Sequence, residues 1–244
     1  MQMNSPTRPL DCIVFDCDGT LSAIEGIDYL ADKHGVGDAV SRLTADAMGK
    51  TGINPEIYQQ RLQLVRPTLK EVLTLGQDYF AYRVLDVMAV IHLLQRLNKK
   101  VYIVSAGLYP AVVSFAELLS IPRAHVFAVD VSFDSDGNYI DFDKTSALVN
   151  NDGKRLIVAE INNIYPNIAY VGDGMNDLSV IDLVTRFIGY GGVFYRENIA
   201  ARCDYYVKSL SMCALLPLLL TAEEYLQLLP SEKTLYTQGV ASIK

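Results

Sequence analysis

The chain has 244 residues, half of them hydrophobic, 9% aromatic and 20% charged, with a net charge of −7. That is enough apolar material for one large domain or a core with a smaller appended unit. The acidic balance, without any Lys/Arg run of five, argues against nucleic acid and anionic membrane surfaces as partners. Four scattered cysteines (Cys12, Cys17, Cys203, Cys213), and an N-terminus from Met1 to Pro6 without an apolar stretch, predict reduced thiols, no secretory signal and a cytoplasmic setting.

The apolar run Cys12-Ile13-Val14-Phe15 predicts a strand over 11–15. It delivers Asp16-Cys17-Asp18-Gly19-Thr20-Leu21, where two carboxylates one residue apart project to the same side of an extended backbone. Such a pair is hard to keep ionised without a cation beside it. From about 24 to 82 the pattern is helical, placed to sit over the strand end as a cap. A helix over 84–98 leads to a strand over 101–104, then Ser105-Ala106-Gly107 and a helix over 110–119. A hydroxyl and free backbone N–H groups at a strand-to-helix turn form an anion cradle.

A strand over 126–129 and a hairpin near 133–142 come next. Asp134-Ser135-Asp136-Gly137-Asn138 has neither the glycine (Tyr139 stands there) nor the final glutamate (Thr145) of a calcium loop, and reads as the hairpin's turn. Gly153-Lys154 opens a helix over 154–164. A lysine at the positive end of a helix makes sense if both face a phosphate. A strand over 168–171 then delivers Gly172-Asp173-Gly174-Met175-Asn176-Asp177, the second strand end to carry glycine-flanked acids. A helix near 176–184, a strand over 187–190, a helix over 196–202, a strand over 205–207 and closing helices over 211–228 follow. Met212 to Leu220 is too short to span a bilayer and contains Pro217. The polar tail 231–244 is expected to be flexible.

Strands alternating with helices predict an α/β fold with a doubly wound, parallel, Rossmann-like sheet. Strand ends lying in parallel would gather Asp16, Asp18, Asp173 and Asp177 at one edge, where such sheets bind ligands. Four converging carboxylates demand a divalent cation, and an all-oxygen donor set suits Mg²⁺. His34, His92, His125 and the cysteines have no zinc-ligand spacing. Cys17 would sit among carboxylates that raise its pKa, so it is not read as a nucleophile.

Four segments in this order, Asp16 to Leu21, Ser105 to Gly107, Lys154, and Gly172 to Asp177, resemble the haloacid dehalogenase superfamily of phosphohydrolases, and within it the phosphoserine phosphatases. Glu25-Gly-Ile-Asp-Tyr-Leu-Ala, Ala47-Met48-Gly49, Arg61-Leu-Gln-Leu and Phe187-Ile-Gly-Tyr-Gly-Gly192 extend the likeness over about residues 10–228. The resemblance implies an α/β catalytic core (1–21 and 83–230) with a small helical cap (22–82) inserted after the first strand. It implies Asp16 as nucleophile, forming an aspartyl-phosphate, and Asp18 as general acid and base. Mg²⁺ would be held by Asp16, Asp18 (through its carbonyl) and Asp173, with Asp177 behind them. Ser105, Ala106, Gly107, Lys154 and Asn176 would hold the phosphate; Glu25, Met48 and Arg61 would hold the rest of the substrate. The implied reaction is hydrolysis of O-phospho-L-serine by a monomer or homodimer. Asn54, Ala106 and Leu108 depart from the family pattern and leave open another small phosphorylated metabolite such as phosphohomoserine or phosphoethanolamine. Transfer of the phosphoryl group to an acceptor hydroxyl, and a catalytically idle regulatory binding protein, also stay open.

Overall fold

The computed structural model describes residues 5–46 and 53–243. In chain order the strands are β1 (Cys12–Phe15), β2 (Lys100–Leu108), β3 (Val126–Val129), the hairpin pair β4 (Val131–Phe133) and β5 (Tyr139–Phe142), β6 (Ile168–Gly172), β7 (Arg186–Tyr190) and β8 (Tyr205–Val207). Six of them form one parallel sheet in the order β3-β2-β1-β6-β7-β8. Every residue of β1 and β6 is buried, as continuous apolar runs require when helices cover both faces.

The sheet order reverses at β1: the chain leaves β1 toward β2 on one side, and β6 pairs on the other. Phe15 stands opposite both Ile103 and Val171, so the segments that follow emerge together at the C-terminal edge. This reversal point is where open α/β sheets form their ligand crevice. β2 runs past the expected strand 101–104 to Leu108, with a register shift against β3 between Val104 and Leu108. Ser105-Ala106-Gly107 therefore lies within a bulge, a device that re-aims side chains next to sites.

Among the described residues five helices lie between β1 and β2, and the first four are α1 (Gly26–Lys33), α2 (Gly37–Asp46), α3 (Pro55–Val65) and α4 (Leu69–Ala81). Local chemistry sets their starts. The Asn54 side chain accepts the Ile57 N–H with Pro55 at the first helical position, and Thr68 with Glu71 forms a capping box. α4 lies tightly on α6 (Tyr109–Leu118). A β-carbon at Gly76 would come within 2.6 Å of Ser114 Cβ, so only glycine permits this approach.

α5 (Val87–Arg96), α7 (Gly153–Asn162) and the short α8 (Glu197–Ala200) complete the connections between strands. The expected helix near 176–184 is a single 3₁₀ turn, Asp177–Val180. Asp177 is anchored inward by hydrogen bonds from Lys154, Tyr170 and the Gly174 N–H, which sets the chain at that point. Closing helices α9 (Leu216–Leu219), α10 (Ala222–Leu226) and α11 (Pro230–Ser242) follow.

α11 corrects the expectation of a flexible tail over 231–244. Pro230 and the bond from the Leu229 N–H to Glu232 (2.8 Å) start the helix, and Tyr236 and Gly239 bury one face of it. Tyr236 packs on Tyr225 with ring centroids 4.8 Å apart. Two buried contacts three residues apart anchor a helix whose composition is otherwise polar. Among the described residues no helix is long and apolar enough to cross a membrane.

Candidate active site

Asp16 leaves the buried end of β1 and is itself only 7% exposed. Its Oδ1 accepts from the Cys17 N–H (2.7 Å) and lies 2.8 Å from Lys154 Nζ. Lys154 enters in the first turn of α7. Gly153 allows this, because a β-carbon there would stand 1.9 Å from the Ala147 carbonyl oxygen. The same ammonium donates to Asp177 Oδ1 at 2.7 Å. Asp177 also accepts from the Tyr170 hydroxyl (2.6 Å) and the Gly174 N–H (2.8 Å), so both its oxygens are engaged. Asp173 Oδ2 accepts from Arg196 Nη2 at 3.1 Å, and the guanidinium reaches on to Glu25 at 3.6 Å.

Asp16, Asp173 and Asp177 each offer an oxygen within 4.8 Å of the others. Asp18 turns the other way. Its Oδ1 accepts from the Gly26 N–H (2.6 Å) and the Tyr79 hydroxyl (2.7 Å), and Oδ2 lies 3.4 Å from Ser105 Oγ. Ser105 Oγ in turn accepts the Gly107 N–H at 2.9 Å.

One cavity joins these groups. Asp16, Asp18, Glu25, Arg61, Ser105, Ala106, Gly107, Lys154, Asp173 and Asn176 line it together with Tyr58, Tyr79 and Leu108. Asp177 is fully buried behind the lining. Met48 lies outside the described residues. Asn54 is not part of the lining; it caps α3. Arg61 is 5% exposed, with Nη1 donating to Thr44 Oγ1 (3.3 Å) and a buried Nε that has no hydrogen-bond partner among the described residues. The Tyr58 hydroxyl and Asn176 Oδ1 are likewise buried and unpartnered. Unsatisfied polar atoms are costly in a folded protein unless something else satisfies them, and here they surround a cavity.

The charges do not balance. Five acids (Asp16, Asp18, Glu25, Asp173, Asp177) face three cations (Lys154, Arg61, Arg196). Burial pushes the Asp16 carboxyl well above its usual range, and Asp177 adds to this against the pull of Lys154. Burial likewise raises Glu25, reinforced by Asp18 and Asp173. Asp173 is pushed up to about 6 by burial, opposed by Arg196. For Asp18, burial raises the pKa while the Gly26 and Tyr79 hydrogen bonds lower it. Burial works against the Lys154 cation, but Asp16 and Asp177 outweigh it and hold the ammonium charged. The Cys17 thiol is pushed well up by burial and then by Asp18 and Asp16, which makes it inert. An all-oxygen cluster short of positive charge has the chemistry of a hard-cation site.

Sequence reasoning missed four residues here. Arg196 follows β7 at the same sheet edge, and a basic residue in that loop was a signal within reach. Tyr58, Tyr79 and Tyr170 have none, because aromatics in helices and strands read as core.

A family model described as haloacid dehalogenase-like hydrolase matches residues 10–181. The phosphoserine phosphatase of Bos taurus is 32% identical over 199 residues, covering 81% of this chain and 88% of that protein. The chloroplastic phosphoserine phosphatase of Arabidopsis thaliana is 33% identical over 211 residues, covering 82% and 69%. A solved phospho-aspartyl intermediate analogue of phosphoserine phosphatase has a similar fold, with TM-score 0.74 and 22% identity over 85% of this chain and 98% of that one. With acids at two neighbouring strand ends and a helix-borne lysine between them, this chain belongs to the haloacid dehalogenase-like hydrolases.

Proposed function

We propose that this phosphoric monoester hydrolase cleaves O-phospho-L-serine to serine and phosphate, with residues 22–82 acting as a cap over the catalytic core. The observation that carries the substrate assignment is the placement of Arg61 and Glu25 on the cavity that Asp16 lines. Arg61 offers a buried, unpartnered Nε, and a guanidinium takes a carboxylate in a bidentate fork. Glu25 supplies the opposite charge for an ammonium. Together they suit a zwitterion whose phosphate reaches Asp16. The phosphoserine phosphatases named above support the same substrate.

Asp16 Oδ1 is held by Lys154 and the Cys17 N–H, so Oδ2 is the oxygen left to attack phosphorus. Asp18 protonates the leaving oxygen through Oδ2 and then takes a proton from the water that hydrolyses the aspartyl-phosphate. Ser105, backbone N–H groups of the β2 bulge and Lys154 face the phosphoryl oxygens, where charge concentrates in the transition state. Asn176 orients the phosphate from the adjoining turn. Asp16 and Asp173 would hold Mg²⁺ together with the Asp18 carbonyl. Asp177, its oxygens already engaged, fixes Lys154 beside them. The bound cation supplies charge neutralisation between the anionic nucleophile and the anionic phosphate.

Arg61→Ala separates this reading from a general phosphatase. The variant should lose kcat/KM for phosphoserine by about thirty- to a thousand-fold, corresponding to about 2–4 kcal/mol for a lost charged hydrogen-bond partner. Hydrolysis of p-nitrophenyl phosphate, which has neither carboxylate nor ammonium, should change far less. Equal losses, or wild-type enzyme that does not prefer phosphoserine over phosphoethanolamine, would refute the amino-acid assignment.

A further inference from the structure

We propose that Tyr79 is a positioning residue for Asp18: its hydroxyl, acting with the Gly26 N–H, occupies Oδ1 and leaves Oδ2 as the oxygen that meets the leaving group. The role rests on the phosphatase reading above.

The position of Tyr79 follows from packing. Gly76 lets α4 approach α6, and Tyr79, one turn further along α4, meets α6 through a ring contact with Phe115 at 5.6 Å. Tyr79 is 1% exposed, and its carbonyl accepts from Ser22 Oγ at 3.0 Å. The ring therefore has little freedom, and its hydroxyl ends 2.7 Å from Asp18 Oδ1. Gly26 completes the clamp from α1. Its N–H donates to the same oxygen at 2.6 Å, and a β-carbon there would stand 2.0 Å from the Tyr79 hydroxyl.

A carboxylate torsion is broad and roughly two-fold, so nothing intrinsic to Asp18 decides which oxygen faces the cavity. Two donors on Oδ1 decide it, since an oxygen already accepting two hydrogen bonds is a poor seat for the transferable proton. Oδ2 faces Ser105 and the Gly107 turn. In the first chemical step Asp16 Oδ2 forms a bond to phosphorus. The ester P–O bond breaks with its electron pair on the leaving oxygen, and that oxygen takes the proton from Asp18 Oδ2. Serine leaves as a neutral alcohol and Asp18 remains as carboxylate. A nitrophenolate leaving group is stable as an anion and needs no such proton.

The test is therefore leaving-group dependence. Tyr79→Phe, assayed with Mg²⁺, should lower kcat/KM for phosphoserine by about thirty-fold, less than the roughly hundred-fold or more that complete loss of acid catalysis costs. The same variant should change kcat/KM for p-nitrophenyl phosphate by less than about three-fold. A merely structural loss would lower both alike, and that result, or no loss on either ester, would overturn the role. If Tyr79→Phe does not fold, Gly26→Ala presses on the same hydroxyl and should give the same selective loss, with equal losses again overturning it. Wild-type enzyme inert toward both esters would instead overturn the phosphatase reading itself.

Discussion

Two buried charge clusters stand at opposite ends of the same strands, and they are built to different rules. At the N-terminal end, Lys99 donates to the Leu10 carbonyl (2.9 Å) and to Glu224, whose other oxygen accepts the Thr221 N–H at 2.9 Å. One cation meets one anion, backbone groups take the remaining valences, and the pair ties the entries to β1 and β2 to α10. At the C-terminal end, among the described residues, five acids meet three cations around a cavity, and Arg61, Tyr58 and Asn176 keep atoms without partners there. The first cluster is satisfied by the protein alone. The second keeps an excess of acids and unsatisfied polar atoms facing a cavity, which is what distinguishes a site from a staple.

The largest effect that would break this contrast is on turnover. Asp16→Asn should lower kcat by about four orders of magnitude or more, since an amide is a poor nucleophile and carries no charge. Its melting temperature should hold or rise, because one member of a mutually repelling group is gone. Phosphate release by protein shown by mass spectrometry to be free of deamidation checks this, and substantial residual activity would remove Asp16 as nucleophile.

Lys99→Met should do the reverse. Leaving Glu224 buried without its partner should cost about 3–5 kcal/mol in urea unfolding, with kcat of the folded protein within about two-fold of wild type. Lys99→Met combined with Glu224→Leu should recover much of that stability. A fall in kcat at the temperature where the variant is folded would show that the two ends are coupled.

The smallest effect sharpens the charge argument. Mg²⁺ at about a hundred times its dissociation constant should stabilise wild type by about 2.7 kcal/mol, read as a rise in melting temperature. Asp173→Asn should lose most of that rise and Lys99→Met should keep it. An equal response in all three would place the cation elsewhere.

The acids were legible because their message is local. An apolar run followed by Asp-x-Asp-Gly, or by Gly-Asp-Gly-x-x-Asp, needs only a few residues to say that a buried strand ends in carboxylates, and the parallel sheet then brings the two ends together. Lys154 was legible for a similar reason, since a lysine at a helix start is at odds with the helix dipole and asks for an anion. Asn54 read as a change in the pocket, but its side chain satisfies a helix N-terminus instead.

What sequence alone determined, then, is the alternation of strands and helices and the strand-end and helix-start positions of Asp16, Asp18 and Lys154, because each rests on spacing within one short segment. Tertiary structure decided the rest. Tyr79 reaches Asp18 across 61 residues, Arg196 reaches Asp173 across 23, and α11 holds because Gly239 can lie against the Cys213 carbonyl. Each of these side chains has an ordinary local reading, as core aromatic, surface cation or polar tail. Its role arises from what packing places opposite it, which no short window of sequence encodes.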